Sequence, residues 1–174
     1  YDRYLRDVRN GWEFTSRVRY DLMDAHGFDL IHNKVENEFP VARTEYRKLY
    51  LDAASATMQD TEVASESEMV TKPVDDAAVF TYTFQEDTEV TGYMKMHMNI
   101  ECRGYDNMDM FIWVKKYKAD GSYVPVDCMK EPYRGAWGYF RGARRELDPK
   151  WSTDFQPVQA HKKDEPMEVK VGDT

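Results

Sequence analysis

Basic charge, cysteine and long apolar runs are what this chain has least of, and each shortage excludes a class of function. Its 24 lysines and arginines stand against 32 acidic residues, for a formal net charge of −8. Binding to a phosphate backbone needs a positive field over the contact surface, so nucleic acid is not expected as a partner. No window approaches the ~20 apolar residues of a membrane-spanning helix, and no membrane partner is expected. The opening Tyr1-Asp2-Arg3-Tyr4-Leu5-Arg6-Asp7 is unlike the apolar core of a signal peptide. The chain therefore reads as a soluble protein, leaning to the cytoplasm. Because it opens on tyrosine and not methionine, it is expected to start inside a longer polypeptide or after processing.

Cysteine is limited to Cys102 and Cys128, far apart and in no Cys-x-x-Cys pair. They read as buried thiols, with a disulfide left open as the alternative. The Gly-x-Ser-x-Gly frame that exposes a nucleophilic serine on a strand-to-helix turn is missing as well. Ser16, Ser55, Ser65, Ser67, Ser122 and Ser152 sit among polar or strand residues. His26, His32, His97 and His161 are the candidate bases, and none lies in a context that sequence can pair with a nucleophile. No catalytic residue, cofactor or metal is expected within the chain.

Alternation is what the chain does have. In Tyr93 to Cys102, Met94, Met96, Met98, Ile100 and Cys102 alternate with Lys95, His97, Asn99 and Glu101, which predicts a strand with one buried face. Met108 to Tyr117 carries apolar residues on both parities, so this strand is expected to be covered on both faces. Arg103 to Asn107 reads as a short loop, and Asp120-Gly121 as the turn of a hairpin. Phe80 to Phe84 completes a central run of three or four strands. Upstream, Tyr1 to Val8 has helical spacing over about two turns and stops at Asn10-Gly11. Arg17 to Leu22 and Glu45 to Asp52 read as strands, Asp24 to Val41 as a surface loop, and Ala53 to Asp76 as the most loop-like part. Tyr133 to Arg145 mixes glycine, aromatics and arginine and is expected to be neither a regular helix nor a regular strand. Leu147 to Asp164 is expected to be irregular, Met167 to Val171 to begin a strand, and Gly172 to Thr174 to turn. The 174 residues suffice to bury a real core, and six to eight period-two strands with almost no helix imply an all-β, two-sheet sandwich.

Two clusters invite a metal reading. Met94, Met96 and Met98 with His97 suggest a soft Cu(I) site, but alternation points His97 away from the thioethers and favours core packing. Asp106 and Asp109, with Asp87 and Glu89, suggest calcium, against the commoner turn cap and solvated edge.

Tyr1-Asp2-Arg3-Tyr4-Leu5-Arg6 with Asn10-Gly11, then Arg17-Val18-Arg19-Tyr20, then Phe80-Thr81-Tyr82-Thr83 through Val90-Thr91-Gly92, then Asp106 to Val114 with Asp120-Gly121, and finally Gly135 to Arg144 follow one another in order. Together they resemble the C-terminal β-domain of the X-Pro dipeptidyl-peptidase and cocaine esterase (CocE/NonD) serine hydrolases. Ser16 stands where that family usually has proline, and the last segment lacks its usual leucine. The resemblance implies a galactose-binding-like jelly roll, with residues 1–15 as a helix and turn left over from a preceding α/β-hydrolase domain and 16–174 as the jelly roll, incomplete at its C-terminus. It implies ester or X-Pro amide hydrolysis by acyl transfer in the hydrolase domain, which would be this chain's partner; a homodimer is also allowed. Arg134, Trp137, Tyr139, Phe140 and Arg141 are then the residues expected to meet the catalytic domain or wall its cleft. A free-standing carbohydrate-binding module is the alternative, since aromatic and arginine side chains also stack sugars.

Overall fold

A computed structural model describes residues 1–26, 31–72, 74, 76–128, 131–162 and 167. The chain divides into two compact units, Tyr1–Ala42 with Gly92–Thr174, and Arg43–Thr91.

The first unit opens on α1 (Asp2–Leu5), one turn where the spacing predicted two. Asn10 and Gly11 end the segment as expected. Gly11 takes φ 79°, where a residue without Cβ is least strained, and Asn10 Oδ1 accepts from Trp12 N–H at 3.2 Å. A 3₁₀ turn at Trp12–Phe14 follows. Strand β1 (Val18–Leu22) keeps the predicted alternation, with Val18, Tyr20 and Leu22 half-buried and Arg19 and Asp21 exposed. Its antiparallel partner is β2 (Ile31–Glu36), inside the stretch read as a loop. Composition hid this strand because its polarity is inverted: Lys34 and Glu36 are half-buried while Ile31 and Val35 are exposed. Lys34 lies opposite Tyr20 in the register, with Nζ 5.7 Å from the ring centroid.

In the second unit β3 (Tyr50–Asp52) and β4 (Thr57–Gln59) form a hairpin. Only the end of the predicted Glu45 to Asp52 strand is ladder, and β4 falls in the stretch read as most loop-like. Asp52 fixes the turn by accepting from Ala54 N–H at 2.9 Å and Ser55 Oγ at 2.7 Å. Of the predicted Phe80 to Phe84 strand only Thr81 joins a ladder, bonding Met58 and Ala56 of this hairpin.

The rest of the first unit is built from three antiparallel pairs: β5 (Asp109–Trp113) with β10 (Trp137–Arg141), β6 (Lys116–Tyr117) with β7 (Tyr123–Val124), and β8 (Val126–Cys128) with β9 (Glu131–Tyr133). Gly121 (φ 81°) closes the β6–β7 hairpin as predicted, and Asp120 Oδ1 accepts from Ser122 N–H at 2.8 Å. Tyr133 to Arg145 departs from its reading as irregular: it holds the end of β9, all of β10 and a 3₁₀ turn at Gly142–Arg144. Its glycines and arginines mask a strand that pairing with β5 stabilises. Tyr93 to Cys102 departs the other way, since it forms no ladder. Alternation specifies which side chains share a face, whereas a ladder needs a neighbouring backbone about 4.8 Å away. Met98, Ile100 and Cys102 do alternate in burial with His97, Asn99 and Glu101, but Met94 and Met96, expected in the core, are 51% and 41% exposed. Cys102 is a free thiol, half-buried. The strand expected from Met167 lies outside the described residues apart from Met167 itself, whose N–H donates to the Ala143 carbonyl at 3.0 Å.

The chain is all-β, as expected, but the expected core is thin. Among the described residues only Val41 and Val124 are buried apolar side chains. Near Val124, the segment 24–26 is tied to 125–127 by His26 N–H to the Pro125 carbonyl and Asp127 N–H to the Asp24 carbonyl, both 2.8 Å.

Candidate docking surface

Among the described residues, strands β5 and β10 carry the most developed surface. Their register sets Trp137 opposite Trp113, Tyr139 opposite Phe111 and Arg141 opposite Asp109. Directly opposed residues of an antiparallel pair share a face, so four aromatics and one ion pair line one side. That side is open: Trp137 is 57%, Phe111 54%, Tyr139 43% and Trp113 42% exposed. Three of the rings are in contact, Phe111 lying 5.3 Å from Tyr139 and 6.0 Å from Trp113 between centroids. On the opposite side Met110, Ile112 and Phe140 are half-buried. Among the described residues strand β5 is thus covered on one face, not on both as its composition suggested, with the Phe111–Trp113 side left open.

Both ends of this ladder are fixed by hydrogen bonds. At one end Asn107 Oδ1 accepts from Met108 N–H (2.9 Å) and Ala143 N–H (3.1 Å), clipping the two strands together. At the other, Val114 N–H donates to the Ala136 carbonyl at 2.8 Å. Gly135 sits there with φ 100°, and a Cβ on it would run into the Val114 carbonyl oxygen.

Of the five residues expected at this surface, Trp137, Tyr139 and Arg141 share the open face. Phe140 does not: it is one residue out of phase and lies on the opposite side of the strand. Arg134 stands just beyond the ladder, where it lines a hollow with Trp113, Lys115 and Tyr123. Phe111 and Trp113 were missed because only the register of β5 against β10 places them beside Trp137 and Tyr139. Had β10 been read as a strand, parity alone would have removed Phe140.

Arg141 donates to both carboxylate oxygens of Asp109, Nε to Oδ1 at 2.6 Å and Nη2 to Oδ2 at 2.7 Å. These hydrogen bonds hold the Asp109 carboxyl below the ordinary aspartate range and raise the guanidinium further above its own. They also occupy the carboxylate considered above for calcium. A carboxylate whose folded pKa is depressed contributes stability above its unfolded pKa and loses it as pH falls through the folded value. Half-exposed, the pair stabilises the fold little, so the sensitive readout is the titration itself. Carbon-detected NMR should give an Asp109 midpoint below the usual ~3.9, and Arg141→Gln should move it back up toward that value. An unmoved midpoint would show that the guanidinium does not hold the carboxylate in solution.

Two of the four candidate bases, His26 and His32, face carboxylates. His26 Nδ1 lies 3.1 Å from Oδ2 of Asp127, a buried aspartate, and His32 Nδ1 lies 3.5 Å from Asp21 Oδ2. Two of the serine hydroxyls engage elsewhere, Ser55 with Asp52 and Thr57, and Ser152 with the Val158 carbonyl. Among the described residues no three metal-ligating side chains converge, and no helix is long and apolar enough to cross a membrane.

Fold and surface define a class: an all-β domain whose chief feature among the described residues is an open aromatic face. The chain belongs to the family of X-Pro dipeptidyl-peptidase C-terminal non-catalytic domains, which matches residues 10–171. It is also similar to a CocE/NonD family hydrolase from Staphylococcus aureus. Two crystal structures of that hydrolase superpose with TM-scores of 0.82 and 0.77, each at 29% identity, over 99% and 98% of this chain. The chain spans 31% of the length of that hydrolase. No curated protein matches the sequence.

Proposed function

We propose that this chain is the C-terminal jelly-roll domain of a cytoplasmic serine hydrolase that cleaves ester or X-Pro amide bonds by acyl transfer in a separate α/β-hydrolase domain of the same polypeptide. Residues 1–15 link the two domains and 16–174 form the jelly roll. Its role is structural: it covers the hydrolase domain and walls one side of the substrate cleft. The observation that carries this reading is the open face of Phe111, Trp113, Trp137 and Tyr139. Tyrosine, tryptophan, phenylalanine and arginine are the residues that concentrate where protein surfaces meet, and here they are held in register on a rigid ladder. We assign the face to the catalytic domain, a reading supported by the matching family's description as a C-terminal non-catalytic domain. Substitution of Trp137 by alanine in the full-length polypeptide tests the assignment, and unchanged stability together with unchanged kinetics would refute it.

A further inference from the structure

Trp113 belongs to two features at once. It is part of the aromatic strip, and with Lys115, Tyr123 and Arg134 it lines a hollow of about 190 Å³. Lys115 Nζ lies 5.9 Å from the Tyr123 ring centroid, and Arg134 is exposed. Among the described residues neither cation has a carboxylate partner, unlike Lys116 and Arg141 nearby, which pair with Asp24 and Asp109. Two unmatched cations on one hollow are notable in a chain of net charge −8.

A surface that covers the strip also covers Trp113, and with it the hollow. Taking an unmatched ammonium or guanidinium out of water is more unfavourable than burial of one aromatic ring is favourable. The covering surface must therefore bring negative charge or leave the hollow wet. The hollow has room for several waters, and so for a carboxylate and its methylene stem. Arg134 offers a planar fork suited to two carboxylate oxygens, Lys115 a point charge, and Trp113 and Tyr123 flat apolar walls for the stem.

We infer that the surface docked on this face presents an aspartate or glutamate whose carboxylate enters the hollow between Lys115 and Arg134. The inference rests on the docking role proposed above and adds the chemistry of the facing residue. In the full-length polypeptide, Lys115 should be acetylated by N-hydroxysuccinimidyl acetate at least about tenfold more slowly than Lys118, which is exposed in the β6–β7 hairpin. Carbodiimide coupling, which joins only amines and carboxylates already in contact, should link Lys115 to an acidic residue outside residues 1–174. Acetylation as fast as that of Lys118 would overturn the inference by showing a wet hollow. Slow acetylation with no such link would overturn it too, since the hollow would then be covered without a carboxylate. Failure of the docking role itself reads differently, because Trp137→Ala would then leave the polypeptide's stability unchanged.

Discussion

Trp137→Ala in the full-length polypeptide is expected to lower its stability by about 2–4 kcal/mol, the range of a buried aromatic anchor at an interface, and to leave the bond-cleaving chemistry in place. The size of the loss is the diagnostic. Within this chain Trp137 is 57% exposed and stands opposite Trp113 in the register. Such a pair contributes roughly 0.2–1 kcal/mol. A loss within that range would report only on the sheet, whereas a larger one requires a second surface against the ring. Urea denaturation of the intact polypeptide provides the number. A turnover number that holds while KM rises would assign the face to the cleft wall as well as to the domain contact.

Gly135→Ala is expected to be nearly as damaging and for a different reason. At φ 100° a side chain is strained, by about 1–3 kcal/mol for a residue held in a sparsely populated region. The Cβ would also meet the Val114 carbonyl oxygen, a backbone atom that cannot rotate away as a side chain would. Strain and clash together should destabilise the fold by roughly 2–3 kcal/mol and lower Tm by about 4–12 °C. Because Val114 N–H bonds the Ala136 carbonyl next door, relief of the clash would open the β5–β10 ladder at the end that carries Trp113 and Trp137. Gly138→Ala is the control. Gly138 lies three residues along, in β10, and a Cβ added there would meet nothing within 4 Å. Alanine at that position should be neutral or slightly stabilising, since glycine in a strand interior is unfavourable. Equal effects at the two positions would mean that loss of glycine flexibility, and not the contact with Val114, decides the outcome.

These two positions show what the sequence makes legible. Strand β1 was readable because Val18, Tyr20 and Leu22 alternate with charge and the structure half-buries that same set. The turns at Gly11 and Gly121 were readable because glycine supplies the positive φ they adopt. Strand β10 was hidden because Gly138 and Arg141 interrupt its apolar pattern, and what holds it is long-range: pairing with β5 and the Asn107 clip between Met108 and Ala143. Strand β2 was hidden because its lysine and glutamate, not its isoleucine and valine, face the covered side. In Tyr93 to Cys102 the pattern promised a ladder that the backbone does not form. The aromatic face was half legible. Trp137, Tyr139 and Arg141 stand out by composition, but Phe111 and Trp113 join them only through a register that no local pattern encodes.

The most direct measurement of the central claim is the intact mass of the native polypeptide in its source, taken together with labelling by a serine-directed fluorophosphonate. A labelled species well above the 20.5 kDa of this chain is the predicted result, with the label upstream of Tyr1. An unlabelled species near 20.5 kDa would contradict the claim and give the lead to a free-standing, carbohydrate-binding module.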